Sequence, residues 1–360
     1  MVSLVGLLGC DGGAPSKAPP PVSDPVSAPA EAETKAALEP RADSAPRKAT
    51  GPRLRVLGIA QDGGLPHVAC DCVRCEAARV EPSRASFVAS LGIIGADDRG
   101  LWLIDATPDL PAQLELLGDV LERRHAAGSE GQPTLGRVDR SPLDGIALTH
   151  AHMGHYLGLA HLGFEAGSTS GVRVLASARM VDFLRANAPW DQLVALANIA
   201  PAVAPPGEAI ELRAGDGTSL GVRATALSVP HRGEYTDTYA WYIEGARAKA
   251  LYVPDTNPWP QWTAEAGLDL DAVLDGVDLL LVDATFYSGD ELPGRDTTKI
   301  GHPLVVDTMA LLEGRLSEDF AVWFVHLNHS NPALDPRSPE RAAIEARGFR
   351  VATVGDEFAL

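Results

Sequence analysis

Leu148-Thr149-His150-Ala151-His152-Met153-Gly154-His155-Tyr156-Leu157-Gly158-Leu159 is the stretch on which the fold turns. It follows Gly145-Ile146-Ala147, an apolar run that reads as a buried strand, and a helical pattern begins at Tyr156. Three of the chain's 10 histidines fall within the six positions 150–155. On an extended segment, residues 150 and 152 share one side, whereas 152 and 155 approach each other on a helical turn. A strand-to-helix corner therefore aims all three imidazoles into one space. Neutral imidazole is a common ligand for zinc and also suits iron. The plain alternative is a polar loop whose histidines are fortuitous.

Outward from this corner, apolar or alternating runs predict strands at 53–60, 86–94, 101–105, 144–149, 218–229, 238–244, 249–253, 278–283, 320–326 and 349–353. Helical patterns cover 109–124, 156–164, 177–187, 302–314 and 337–347. Several strands adjoin without a helix between them, as at 86–105 and 218–253. That order excludes strict βαβ alternation and suits mixed sheets packed face to face with helices outside. Three further polar residues close predicted strands: His231 in Ser228-Val229-Pro230-His231, Asp255 in Tyr252-Val253-Pro254-Asp255, and His326 in Phe324-Val325-His326. Each has an ordinary reading alone: a turn histidine, a turn former before Thr256-Asn257-Pro258, and a satisfied core histidine.

The chain has 4 cysteines in 360 residues, and Cys70, Cys72 and Cys75 crowd into six positions. That crowding points to a metal and not to bridges. Three thiolates so spaced can close around one tetrahedral zinc, with a fourth ligand from elsewhere.

Composition excludes other classes. With 30 Lys+Arg against 48 Asp+Glu, the net charge is −18. Such a surface repels polyphosphate backbones, so no nucleic-acid partner is expected. No run of about 20 apolar residues is present, which excludes a conventional spanning helix. Residues 1–52 hold nine prolines and ten alanines, with no apolar periodicity. They read as an extended tether that cannot offset its own ordering entropy. The remainder, 53–360, reads as one folded domain. Met1–Cys10, ending Leu7-Leu8-Gly9-Cys10, resembles a bacterial lipoprotein signal with Cys10 as the lipidated residue and 11–52 as its tether. The expected location is then the cell envelope, with membrane contact only through the anchor. Nothing in the sequence bears on oligomeric state.

The histidine stretch is similar to the H-x-H-x-D-H signature of the metallo-β-lactamase superfamily, with Gly154 in the aspartate's place. His231, Asp255 and His326 follow in the family's order, so the resemblance covers about 53–357. It implies an α/β fold, an αββα sandwich of two mixed β-sheets with helices on the outer faces. It implies a first metal site of His150, His152, His231 and Asp255. A second site keeps His155, His326 and the shared Asp255, weakened by the missing aspartate. One tight active-site metal is expected, with the second weaker or absent.

Cys70-Asp71-Cys72-Val73-Arg74-Cys75 resembles the C-x-C-x-x-C of the branch that contains coenzyme PQQ synthesis protein B and the cyclic phosphodiesterase of phosphonate breakdown. In the phosphodiesterase, a histidine three residues past the last active-site histidine completes a structural zinc. His329 holds that position here. Lys299-Ile300-Gly301-His302-Pro303 is similar to a segment of the PQQ synthesis proteins, and a comparable histidine in the tRNA-processing branch lies near the scissile phosphate. His302 is then a candidate proton donor, beside the reading that it caps a helix.

These readings imply metal-assisted hydrolysis of a small phosphodiester or ester, with zinc, or manganese or iron, in the active site and zinc at the structural site. Arg232 and Lys299 are candidates for holding an anionic group of a small substrate. The alternative is an iron-dependent oxidative role in coenzyme PQQ synthesis, and the third is metal binding without catalysis. An envelope anchor favours the first over the second, because assembly of that cofactor is cytoplasmic.

Overall fold

Strand β8 (Ser219–Val229) alternates outward and buried side chains along most of its length, with Leu220, Val222, Ala224 and Ala226 inward. That period of two marks a strand with one face on a core. β2 (Ser90–Ile94), β3 (Leu101–Ile104) and β11 (Leu279–Asp283) are instead buried at every position, as strands covered on both faces must be. The computed structural model describes residues 51–128, 140–291 and 301–360. Cys10, the expected signal, all but the last two residues of the expected tether, and Lys299 lie outside the described residues.

Among the described residues the strands form two seven-stranded sheets. The first has the order β14 (Glu357–Ala359), β1 (Arg53–Gly58), β2, β3, β4 (Gly145–Ala147), β5 (Val172–Ala176) and β6 (Ile199–Val203). The second runs β13 (Arg350–Val351), β12 (Ala321–Val325), β11, β10 (Lys249–Val253), β9 (Thr238–Glu244), β8 and β7 (Ala209–Arg213). Both sheets mix parallel and antiparallel pairs. Leu54, Ile93 and Trp102 of the first sheet and Trp241, Val282 and Phe324 of the second belong to one buried cluster. A second cluster packs Leu103, Ile146 and Val174 against Met180, Val181 and Leu184 of the helix Ala178–Ala186. Ser177 starts that helix by accepting the Met180 N–H. The result is the αββα sandwich expected from the sequence.

Strand direction decides where the polar residues meet. β1 and β3 both run antiparallel to β2, and β4 runs parallel to β3, so β1, β3 and β4 point the same way. β8 and β10 both oppose β9, while β11 and β12 run parallel to β10, which aligns those four. The C-terminal ends of such co-directed strands open into one crevice, the common place for a site in sheet proteins.

The expected elements are present with shifted bounds, and others went unseen. The helix after the histidines starts at Met153, not Tyr156, and continues as a 3₁₀ stretch from Leu157 to Leu162. β5, β6, β7 and β14 were not expected. β6 contains Pro201, which argues against a central strand but is tolerated at a sheet edge, where β6 lies.

Candidate metal centre

Each expected ligand sits just past a strand of the crevice. β4 leads into His150, His152 and His155, β8 into His231, β10 into Asp255 and β12 into His326. Asp255 is the hub. Its Oδ2 lies 3.2 Å from His150 Nε2 and 3.6 Å from His152 Nδ1, and its Oδ1 lies 3.1 Å from His231 Nε2. These four residues form one group spaced to hold a cation. His155 and His326 form a second such group, and its third member is Asp62, which the sequence reading did not single out. His155 Nε2 is 3.2 Å from Asp62 Oδ1 and 3.8 Å from Asp255 Oδ2.

The inward-facing atoms are His150 Nε2, His152 Nδ1, His155 Nε2, His231 Nε2, His326 Nε2, Asp62 Oδ1 and Asp255 Oδ1. All are buried and without a hydrogen-bond partner. Leaving buried polar atoms unpaired is costly, and so many converging on one space fit a cation that the protein binds.

The outward nitrogens of His150, His152, His155 and His326 are committed. Asp105, after β3, accepts from Thr149 N and Oγ1 and stands 2.7 Å from His155 Nδ1. Thr149 Oγ1 lies 2.9 Å from His150 Nδ1, and Thr285 Oγ1 lies 3.0 Å from His326 Nδ1. Glu234 Oε2 lies 3.1 Å from His152 Nε2. Such outer partners fix ring orientation and leave the other nitrogen free for metal.

Electrostatics without a cation follow from the same contacts. Burial opposes charge on His155, but the Asp105 and Asp62 carboxylates outweigh it and hold the ring well above the usual histidine range. Burial likewise opposes charge on His326, yet Asp255, Asp283 and Asp62 push it up to about 10. Burial and the neighbouring His155 hold His150 well below its ordinary value.

His302 Nδ1 lies 2.8 Å from Asp283 Oδ2 and 3.2 Å from Asp255 Oδ1. Burial works against its charge, but those two carboxylates prevail and raise it. His302 therefore reaches the centre's edge, and it groups with Asp255, Asp283 and His326. Arg232 is exposed and makes a loose contact with Glu234 at 3.8 Å. Lys299 has no described position.

The cysteine cluster lies apart. Cys70, Cys72 and Cys75 place their sulfurs 3.5, 3.6 and 3.7 Å from His329 Nδ1. Two ligands at a tetrahedral angle on zinc, one sulfur at about 2.3 Å and one nitrogen at about 2.0–2.1 Å, stand about 3.5 Å apart. The donor set fits zinc. Arg74 Nε donates to the His329 carbonyl, so the first loop is tied to the segment after β12.

The residues that sequence reasoning missed are Asp62, Asp105, Asp283 and Glu234. One signal was available. Ile104-Asp105-Ala106-Thr107 and Val282-Asp283-Ala284-Thr285 end buried strands with the same Asp-Ala-Thr, and each aspartate steadies a histidine of the centre.

The family profile described as the beta-lactamase superfamily domain matches residues 102–326. Coenzyme PQQ synthesis protein B of Rhodopseudomonas palustris (strain TIE-1) is 32% identical over 333 residues, covering 86% of this chain and 99% of that protein. The protein of the same name from Bradyrhizobium diazoefficiens is 28% identical over 329 residues, 86% of this chain and 99% of its own. Zn(2+)-bound PqqB from Methylobacterium extorquens superposes with a TM-score of 0.65 at 23% identity, covering 86% of this chain and all of that one (100%). A diphosphatase from the PhnP family superposes with a TM-score of 0.57 at 21% identity, covering 87% of this chain and 98% of that one. The two structures speak for a shared fold.

Proposed function

The chain belongs to the metallo-β-lactamase superfamily, and from that premise we propose that it is a metal-dependent enzyme with a role like that of coenzyme PQQ synthesis protein B, an oxidative step on a small molecule in the making of that cofactor. The observation that carries this is similarity along the whole folded part, 32% identity over 99% of the relative.

His150, His152, His231 and Asp255 would hold one cation, and His155 and His326, with Asp255 3.8 Å from His155, would face a second. A cation there supplies Lewis acidity next to the substrate, and iron would add redox chemistry. Asp105 and Asp283 keep the ring nitrogens of His155 and His302 oriented. His302, raised by its carboxylate neighbours and about one-tenth exposed, would hold a proton at Nδ1 at the rim of the centre. Arg232 at the mouth is available to an anionic substituent, and Lys299 is proposed alongside it from sequence alone.

The second reading is hydrolysis of a small phosphodiester or ester. It is favoured by the placement of His302 beside a His/Asp centre, as a donor to a leaving oxygen requires. Metal analysis of natively purified protein, paired with activity, separates the two. Bound iron with oxygen uptake on a tyrosine-derived precursor supports the first, and zinc or manganese with phosphodiester turnover supports the second. His152→Ala should abolish whichever activity is found, and full turnover by that variant would contradict the assignment of the site. A lipid anchor at Cys10 would place catalysis at the cell envelope and would favour the second reading, hydrolysis, over the first. It is tested by whether Cys10→Ala moves the protein from the membrane fraction to the soluble one.

A further inference from the structure

Position 154 lacks the aspartate that the superfamily motif carries, and the space its side chain would fill is taken. A Cβ built on Gly154 would stand 2.2 Å from Asp62 Oδ1 and 2.7 Å from Asp62 Cα. Both are closer than real Cβ atoms come, and the second contact is with backbone. Glycine at 154 is therefore what lets the loop after β1 approach, and that loop delivers a carboxylate to the same spot.

We propose that Asp62 is the carboxylate ligand of the second cation position, supplied from the loop after β1 in place of the motif aspartate, so that the centre holds two cations sharing Asp255. This rests on the reading of the His/Asp cluster as a metal centre. Asp62 Oδ1 lies 3.2 Å from His155 Nε2 and 3.8 Å from His326 Nε2, and all three atoms are buried without hydrogen-bond partners. Oxygen and nitrogen ligands at about 2.0–2.2 Å from a shared zinc stand about 3 to 3.5 Å apart at octahedral to tetrahedral angles.

The loop is built to hold this carboxylate in place. Gln61 N donates to the Leu327 carbonyl at 2.9 Å, and Leu327 N donates to Ile59 at 2.7 Å, which fixes the loop to the segment bearing His326. Gly64 N closes a turn back onto the Gln61 carbonyl at 2.7 Å, with Asp62 and Gly63 at its tip. Farther on, the cysteine cluster fastens the same loop through His329.

The test is zinc stoichiometry and affinity in the full chain, stripped with chelator, reloaded with zinc, and followed by elemental analysis and competition with a chromophoric chelator. Wild type should bind three ions, one at the cysteines and two at Asp255. Asp62→Asn keeps the side chain's shape but removes a charged ligand, and should lose the third ion or weaken it by about 100-fold or more, beyond the 10–100-fold typical of outer-shell changes. Gly154→Ala retains every ligand but pushes the Asp62 carboxylate aside, and should act in the same direction. If Asp62→Asn does not fold, as judged by circular dichroism, Gly154→Ala decides alone. A third ion bound as tightly by both variants as by wild type would overturn the proposal, as would wild type that saturates at two. Saturation at one ion, unchanged by His152→Ala, would overturn the metal centre itself.

Discussion

His155 Nδ1 lies 2.7 Å from Asp105 Oδ2, and neither side chain is accessible to solvent. This pair joins a residue of the histidine stretch to a strand end fifty positions earlier, and it leaves Nε2 as the ring nitrogen free for a cation. Asp105 also accepts from Thr149 N and Oγ1, so one carboxylate steadies both the ring and the backbone leading into His150. Its φ of 66° lies in the left-handed region, which asparagine tolerates among the non-glycine residues.

Asp105→Asn should therefore keep the backbone and lose charge. Metal affinity at the His155 position is expected to fall by about 10–100-fold, as for other outer-shell partners. The cysteine cluster should keep its zinc. Chelator competition on the variant measures both, and equal weakening of the two would point to general unfolding instead.

Removing the cysteine-bound zinc should destabilise the domain. Burial pushes the Cys75 thiol up to about 12 in the metal-free protein, so zinc uptake there displaces a proton and falls off in acid. At free zinc a thousand times Kd, binding contributes about 4 kcal/mol. Cys72→Ser should lower Tm by several degrees and make it insensitive to added zinc, as read by calorimetry.

Acid should reach the fold through Asp98. This buried carboxylate pairs with Arg53 at 2.8 Å and Arg123 at 2.6 Å. Burial would raise its pKa, but the two guanidiniums outweigh that and lower it. A depressed folded value means the stabilisation is complete above the unfolded value near 3.8 and is lost as pH falls through the folded one. Denaturant midpoints should thus drop below about pH 4. Asp98→Asn should cost about 2 kcal/mol at neutral pH, less than for a fully buried pair because Arg123 is partly exposed. Its acid slope should be shallower. A wild-type slope in the variant would contradict the assignment.

What the sequence revealed and what it concealed have physical causes. His150, His152, His231, Asp255 and His326 were legible because each lies within a few residues of the end of an apolar strand, and the cysteines because they crowd together. Asp62 was not legible, because its partner Gly154 reads as a simple loss unless the approach of two loops distant in sequence is known. Asp105 and Asp283 sit where a strand ends, a place as natural for a turn former as for a partner of histidine. β6 was hidden by Pro201, whose tolerance depends on lying at an edge that only the sheet order reveals. β14 is three residues long and pairs with β1 across the length of the domain, so no local pattern marks it.

A centre in which residues from several strand ends meet around cations has a direct signature. Anomalous diffraction at the absorption edge of the bound metal, on crystals of natively purified protein, tests it most directly. One peak is expected among Cys70, Cys72, Cys75 and His329, one among His150, His152, His231 and Asp255, and one among Asp62, His155, His326 and Asp255. Peaks confined to the cysteines, with the crevice holding only water at full metal loading, would contradict it.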